Sequence, residues 1–264
     1  MNSDALNALD QAVVLARERA GDRPAIVGVA GPQGSGKTTL VSAYAAFHPR
    51  TAHFSLDDVY LPASYRRLIA QSVHPLFATR GPPGTHDVAL GLETLDALAR
   101  GGPAPLPRFD KAADDRLPSA EWPCAPPHCQ VLLFEGWCLG ARAQAPGALA
   151  EPVNPLERDE DPAAIWRTYA NAALAGEYQR LFARIDRLIL LAAPGWGVVR
   201  GWREEAEAKL RTQGPGAMTQ TEIARFVQFY ERITRWVLAE MPGRADVTVR
   251  LGPDRGPRLR PTCS

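Results

Sequence analysis

Cysteine is sparse in this chain: there are four in 264 residues. Cys124, Cys129, Cys138 and Cys263 are too scattered for the disulfide framework of a small secreted domain. Cys124 and Cys129 bracket His128, but the spacing matches no common zinc pattern and no second Cys/His pair answers it. Long apolar runs are missing too, none approaching the roughly 18 residues needed to span a bilayer. The N-terminus carries Asp4, Asp10 and Glu18 and lacks the basic-then-apolar pattern of an export signal, so the cytoplasm is the expected location. Charge of one sign is also lacking. A formal net charge of +1 argues against a nucleic-acid binder acting through bulk charge. Lysine is scarce, supplying three of the 30 basic residues: Lys37, Lys111 and Lys209. Where arginine is the habitual cation, a lysine marks a place for a compact, strongly hydrated point charge. The remaining composition, 45% hydrophobic and 22% charged, is that of an ordinary globular protein. A chain of this length can bury the core of one α/β domain, here expected to span residues 1–264.

One stretch stands out against that background. Residues 31–38 read Gly-Pro-Gln-Gly-Ser-Gly-Lys-Thr, a full match to G-x-x-x-x-G-K-[ST]. Upstream, Ala25-Ile26-Val27-Gly28-Val29 is the apolar run of a buried parallel strand, and downstream Thr38 to Tyr44 suits an amphipathic helix. Strand, glycine loop and helix together aim backbone N–H groups and a helix N-terminus at one anion. Gly31, Gly34 and Gly36 let the backbone approach phosphate closely. Lys37 suits the β- and γ-phosphates and the Thr38 hydroxyl suits Mg²⁺. Pro32, Gln33, Ser35 and Thr39 complete the cradle. The expected ligands are ATP and Mg²⁺.

The rest of the chain alternates strand and helix. Helices are expected over about 4–20, 37–46 and 64–73, with strands at 25–29 and 51–56. Asp57-Asp58 ends the second strand, and Asp87 caps a helix reaching Arg100. Residues 101–129 and 142–162 are proline-containing irregular segments on either side of a strand at 130–134. A helix to about 184 precedes a strand at 187–191 and a helix over 198–212. After a Gly-Pro-Gly break at 214–216, Thr219 and Glu222 form a capping box for the last long helix. Its stripe of Ile223, Phe226, Val227, Tyr230, Ile233 and Val237 reads as core packing. A tail strand covers 245–251, and residues 252–264 are expected to be a disordered tail. The pattern predicts an α/β fold with a mainly parallel sheet, its ligands at the strand C-terminal ends.

Those ends carry the candidate chemistry. Asp57 and Asp58 follow one strand, and a carboxylate there can orient an acceptor hydroxyl during phosphoryl transfer. Adjacent residues of an extended segment point opposite ways, so one of the two faces the phosphate. Glu135 stands where an acid can act near Mg²⁺. Arg80, His86, Asp87, Arg108, Asp110, Lys111 and Arg116 lie on loops able to close over a small anionic acceptor. Arg200, Arg203 and Lys209 suit either a phosphate-stabilising lid or a solvated helix face, and Arg255 could edge the adenine pocket.

The segments GPQGSGKTTL (31–40), SLDDVYLP (55–62), RGPPGTHDVALGLETL (80–95), PRFDKAADDR (107–116), VLLFEGWCLG (131–140) and GWREEAEAKLR (201–211) resemble, in order, the motifs of plant-type D-glycerate 3-kinases. Fungal and bacterial ATP-binding kinase-like proteins of the phosphoribulokinase, uridine kinase and pantothenate kinase superfamily share this set. The resemblance implies the P-loop kinase fold, a three-layer sandwich with a five-stranded, mainly parallel sheet. It implies transfer from ATP to D-glycerate, giving 3-phosphoglycerate. By position it makes Asp57 the base, places Glu135 at the metal and Arg203 in the lid, and puts Tyr60, Arg80, His86, Asp110, Lys111 and Arg116 on the acceptor side. The chain departs from the family pattern at Phe109-Asp110-Lys111, at Val59-Tyr60 and at Ala112 to Arg116. These departures line the presumed acceptor side. Two further readings therefore stand beside this one. A larger nucleoside- or pantothenate-like acceptor would need an aromatic floor, for which Trp122, Trp137 and Tyr65 are available. An ATP-driven regulatory protein would need no small acceptor.

Overall fold

The computed structural model describes residues 3–211 and 218–256. Helix α1 (Ser3–Ala20) leads into β1 (Ala25–Ala30), the P-loop and α2 (Lys37–Phe47). Then come β2 (Thr51–Ser55), α3 (Ala63–Ser72) and α4 (Val88–Ala99). A two-residue ladder joins β3 (Phe109–Asp110) to β4 (Asp115–Arg116), ahead of β5 (Val131–Gly136). Helices α5 (Pro155–Glu160), α6 (Ile165–Ala175) and α7 (Glu177–Phe182) precede β6 (Arg187–Ala192). The chain closes with α8 (Trp196–Arg211), α9 (Gln220–Glu240) and β7 (Val247–Arg250).

Five strands form one parallel sheet in the order β2-β5-β1-β6-β7. Central β1 and β5 are buried throughout, whereas edge strands β2 and β7 are partly exposed. That gradient follows from covering a parallel sheet with helices on both faces. Alternation along the strands sorts the core. Ile26, Leu132, Phe134 and Leu190 join Leu95, Tyr178, Phe229 and Tyr230 on one face. Val27, Val29, Leu133, Ile189 and Leu191 pack with Leu9, Val41 and Trp202 on the other. No described helix is long and apolar enough to cross a membrane.

Three local differences from the sequence reading have physical causes. The helix expected to run to 184 is divided at Gly176, whose N–H caps both Ala172 and Ala173. The segment 142–162 contains α5, started by the Asn154 side chain with Pro155 at the first helical position. Asp57 and Asp58 lie in a 3₁₀ turn over Leu56–Val59, beyond the end of β2. The Gly-Pro-Gly break at 214–216 and tail residues 257–264 lie outside the described residues, while 252–256 form a turn against the P-loop.

Candidate active site

β1 delivers the P-loop to the middle of the sheet's C-terminal edge. Helix α2 begins at Gly36, which takes a left-handed φ of 88° and provides no side-chain cap. The first-turn N–H groups of a helix lack intrahelical acceptors, so this end suits an anion. Gly34 has a φ of +76°, and a Cβ there would come within 2.6 Å of Trp202 Cβ. Only glycine fits that close approach without strain.

Lys37 Nζ donates to Pro32 O at 3.0 Å and is buried. Burial lowers its pKa, opposed by the nearby carboxylates of Glu135 and Asp57. The ammonium is thus poorly hydrated and suited to a phosphate. Thr38 Oγ1 donates to Glu135 Oε1 at 2.8 Å. Burial raises the Glu135 pKa, but His53, Lys37 and the Thr38 hydroxyl outweigh it and leave the net shift downward.

These groups open onto a cavity of about 240 Å³ lined by Gln33, Gly34, Lys37, Thr38, Asp57, Tyr60, Arg80, Lys111, Glu135, Trp137, Arg203, Phe226 and Tyr230. A hollow of about 970 Å³ involves Arg23, Arg50, Arg100, Cys124, His128 and Cys129, and none of the phosphate-loop residues. It is larger, but the convergent chemistry is in the smaller cavity. Among the described residues, no group of three or more His, Cys, Asp or Glu side chains could hold a metal. Cys124, Cys129 and Cys138 are free thiols.

The 3₁₀ turn gives the two aspartates different surroundings. Asp58 Oδ2 accepts from Ser55 N at 3.0 Å, completing a capping box, and from Arg108 Nη1 at 3.2 Å. Asp57 instead faces the cavity, with Tyr60 OH 2.9 Å from Oδ1 and Lys111 Nζ 2.7 Å from Oδ2. Burial acts to raise its pKa, but the Lys111 charge and hydrogen bond prevail and hold the carboxyl at about 2. Asp57 is therefore an ionised acceptor of hydrogen bonds at neutral pH.

The 80–87 block is a scaffold that presents Arg80. Trp137 Nε1 donates to Gly81 O at 3.2 Å, and Tyr230 OH donates to Arg80 O at 3.3 Å. A Cβ on Gly81, at φ +126°, would strike the Tyr230 hydroxyl. Thr85 is buried and its hydroxyl binds both Gly81 N and Pro82 O. His86 lies behind Tyr60, with ring centroids 4.5 Å apart, and its Nδ1 is 2.6 Å from Tyr178 OH. Burial lowers its pKa to about 4, so the ring is neutral at pH 7.

Three residues expected on the acceptor side stand outside the cavity wall. His86 is in that supporting position. Asp110 caps a turn, with Oδ1 accepting from Ala112 N and Ala113 N at 2.8 and 3.2 Å. Arg116 Nη2 ties Tyr60 O to Asp87 Oδ2, each at 3.1 Å. Asp110 and Arg116 hold the shape of their own and a neighbouring loop, and His86 is fixed by the Tyr178 hydroxyl of α7.

Arg203 does line the cavity, paired with Glu207 and placed 5.0 Å from the Phe226 ring centroid. Arg255 Nε donates to Gly34 O at 2.6 Å and Nη1 meets Glu205 at 2.7 Å, so Arg255 braces the P-loop. Thr39 is exposed on the first turn of α2. Phe226 and Tyr230, read from sequence as core packing, also form cavity wall. Nothing in a helical stripe separates those two roles. Trp122 and Tyr65 are not in the wall: Trp122 binds Leu117 O, and Tyr65 is exposed on α3.

The donor set suits Mg²⁺. A hydroxyl and a carboxylate 2.8 Å apart are hard oxygen ligands beside the phosphate loop, and Mg²⁺ needs few protein ligands because it keeps waters and substrate phosphates.

No protein-family model matches the chain. It is 30% identical over 259 residues to D-glycerate 3-kinase, chloroplastic, of Arabidopsis thaliana, a match covering 89% of this chain. The chain spans about half of that relative, 54% of its length. Over 222 residues it is 32% identical to a Schizosaccharomyces pombe protein named uncharacterized kinase mug58, covering 79% of each. The solved structure of D-glycerate 3-kinase from Cryptococcus neoformans superposes with a TM-score of 0.79 at 26% identity, covering 96% of this chain and 97% of that one. On this identity, coverage and shared fold, the chain belongs to the glycerate-kinase-like family of P-loop kinases.

Proposed function

We propose that this protein transfers the γ-phosphoryl group of ATP to the C3 hydroxyl of D-glycerate, giving ADP and 3-phosphoglycerate. The observation that carries this reading is Asp57, an ionised carboxylate sharing a 240 Å³ cavity with Lys37, Arg80, Lys111 and Arg203. Four cations against two carboxylates, Asp57 and Glu135, leave a cationic excess that suits the triphosphate plus a small anionic alcohol.

The geometry supports a role for each group. The P-loop amides and Lys37 would cradle the phosphates, and Arg203 would neutralise charge on the transferring group. Thr38 and Glu135 would hold Mg²⁺, which when bound supplies charge neutralisation to the triphosphate. Asp57 would accept the hydrogen bond of the acceptor hydroxyl and align it. A carboxylate this acidic is a weak base, which suffices because a loose phosphoryl transition state leaves the acceptor oxygen little charged, so its proton passes to Asp57 late. Arg80 and Lys111 would receive the acceptor's carboxylate.

An ADP-release assay with Mg²⁺-ATP and a panel of D-glycerate, uridine and pantothenate tests the assignment. D-glycerate should stimulate release at least tenfold over the others. Stimulation by uridine or pantothenate alone would replace the acceptor, and acceptor-independent turnover would favour the regulatory alternative.

A further inference from the structure

Asp114 has a backbone φ of 53°, a left-handed conformation disfavoured for a residue with a side chain. Glycine would meet no such penalty, so an observed aspartate here points to a role for its carboxylate. That carboxylate bridges two arginines. Oδ2 accepts from Arg66 Nη2 at 2.6 Å, while Oδ1 pairs with Arg80 Nη1. Arg66 is 1% exposed and also binds Leu61 O at 3.1 Å, Ala78 O at 2.8 Å and Asp114 O at 3.1 Å. It is a fixed buried post. Arg80 is fastened to that post through one nitrogen. Its Nε and Nη2 have no hydrogen-bond partner among the described residues, and the side chain lines the cavity with Asp57.

We propose that Asp114 is a positioning residue that holds Arg80 by Nη1, leaving the Nε–Nη2 edge to take a carboxylate of the acceptor in bidentate fashion. Asp114 thereby makes the enzyme selective for anionic over neutral alcohols. The proposal rests on the reading of this cavity as a kinase acceptor site. Two effects oppose each other when Asp114 is removed. Losing a negative charge favours an anion, and losing the anchor frees the guanidinium to move. The Asp114 side chain is 42% exposed, so water screens the first effect, while the second acts on a directional contact. Loss of orientation therefore prevails.

The test uses the full chain with Asp114→Gly, which accepts the left-handed backbone, and Asp114→Asn as a second variant should the first fail to fold. The KM for D-glycerate should rise about tenfold or more, the scale of one charge-assisted contact. The KM for ATP and the kcat should stay within about twofold, and residual phosphorylation of glycerol, a neutral analogue, should be unchanged. A merely structural role would move the glycerol and ATP values in parallel. An unchanged D-glycerate KM, or equal losses for glycerate and glycerol, overturns the proposal while leaving the function intact. Absence of D-glycerate turnover in the wild-type protein overturns the proposed function, and this inference with it.

Discussion

Lys111 Nζ lies 2.7 Å from Asp57 Oδ2, a contact between residues 54 positions apart that joins the β3–β4 ladder to the end of β2. Burial alone would push the Asp57 carboxyl up; Lys111 is the main group that brings it down to about 2. In Lys111→Met the opposing influence goes and the burial stays, so the Asp57 pKa rises. The free-enzyme groups govern kcat/KM. Its acid limb, where attributable to protonation of Asp57, should move to higher pH in the variant than in the wild type. Coincident acid limbs would show that Lys111 does not tune Asp57.

Asp57→Asn keeps size and removes charge. The variant should lose about 10²–10⁴-fold in kcat, the usual worth of a positioned acid–base group. ATP affinity, measured by calorimetry, should stay within about threefold, because the P-loop and Lys37 are untouched. Turnover near wild type would remove Asp57 from the reaction.

Glu135→Gln leaves the Thr38 hydroxyl an acceptor at nearly the same place but removes the anionic oxygen 2.8 Å away. Loss of a group that holds or orients a metal ligand typically costs about 10–100-fold in metal affinity. The Mg²⁺ concentration for half-maximal rate should rise by that factor at fixed ATP. An unchanged Mg²⁺ requirement would place the metal on other ligands.

The legible parts of this protein are those whose signals are local. The Gly31–Thr38 loop carries its flanking strand and helix with it, and the caps at Asp87 and at Thr219–Glu222 form within a few residues. Asp57 was separable from Asp58 in sequence only by resemblance. In the fold the separation comes from a capping box at Ser55, which claims Asp58 and leaves Asp57 to the cavity. The Arg66–Asp114–Arg80 bridge had no local trace, since it closes between residues 34 and 48 positions apart, joining helix α3 to two irregular segments. His86, Asp110 and Arg116 show the converse. Polar loop residues invite a ligand role, yet loop backbone also needs partners, which Asp110 and Arg116 supply, while His86 Nδ1 is taken up by the Tyr178 hydroxyl.

The central claim is that phosphate is placed on C3 of D-glycerate. The most direct measurement is ¹H–³¹P NMR of the product formed from Mg²⁺-ATP and D-glycerate by the purified protein. The account predicts phosphorus coupled to the C3 methylene protons, the signature of 3-phosphoglycerate. Coupling to the single C2 proton, or ADP and inorganic phosphate with no phosphorylated glycerate, would contradict it.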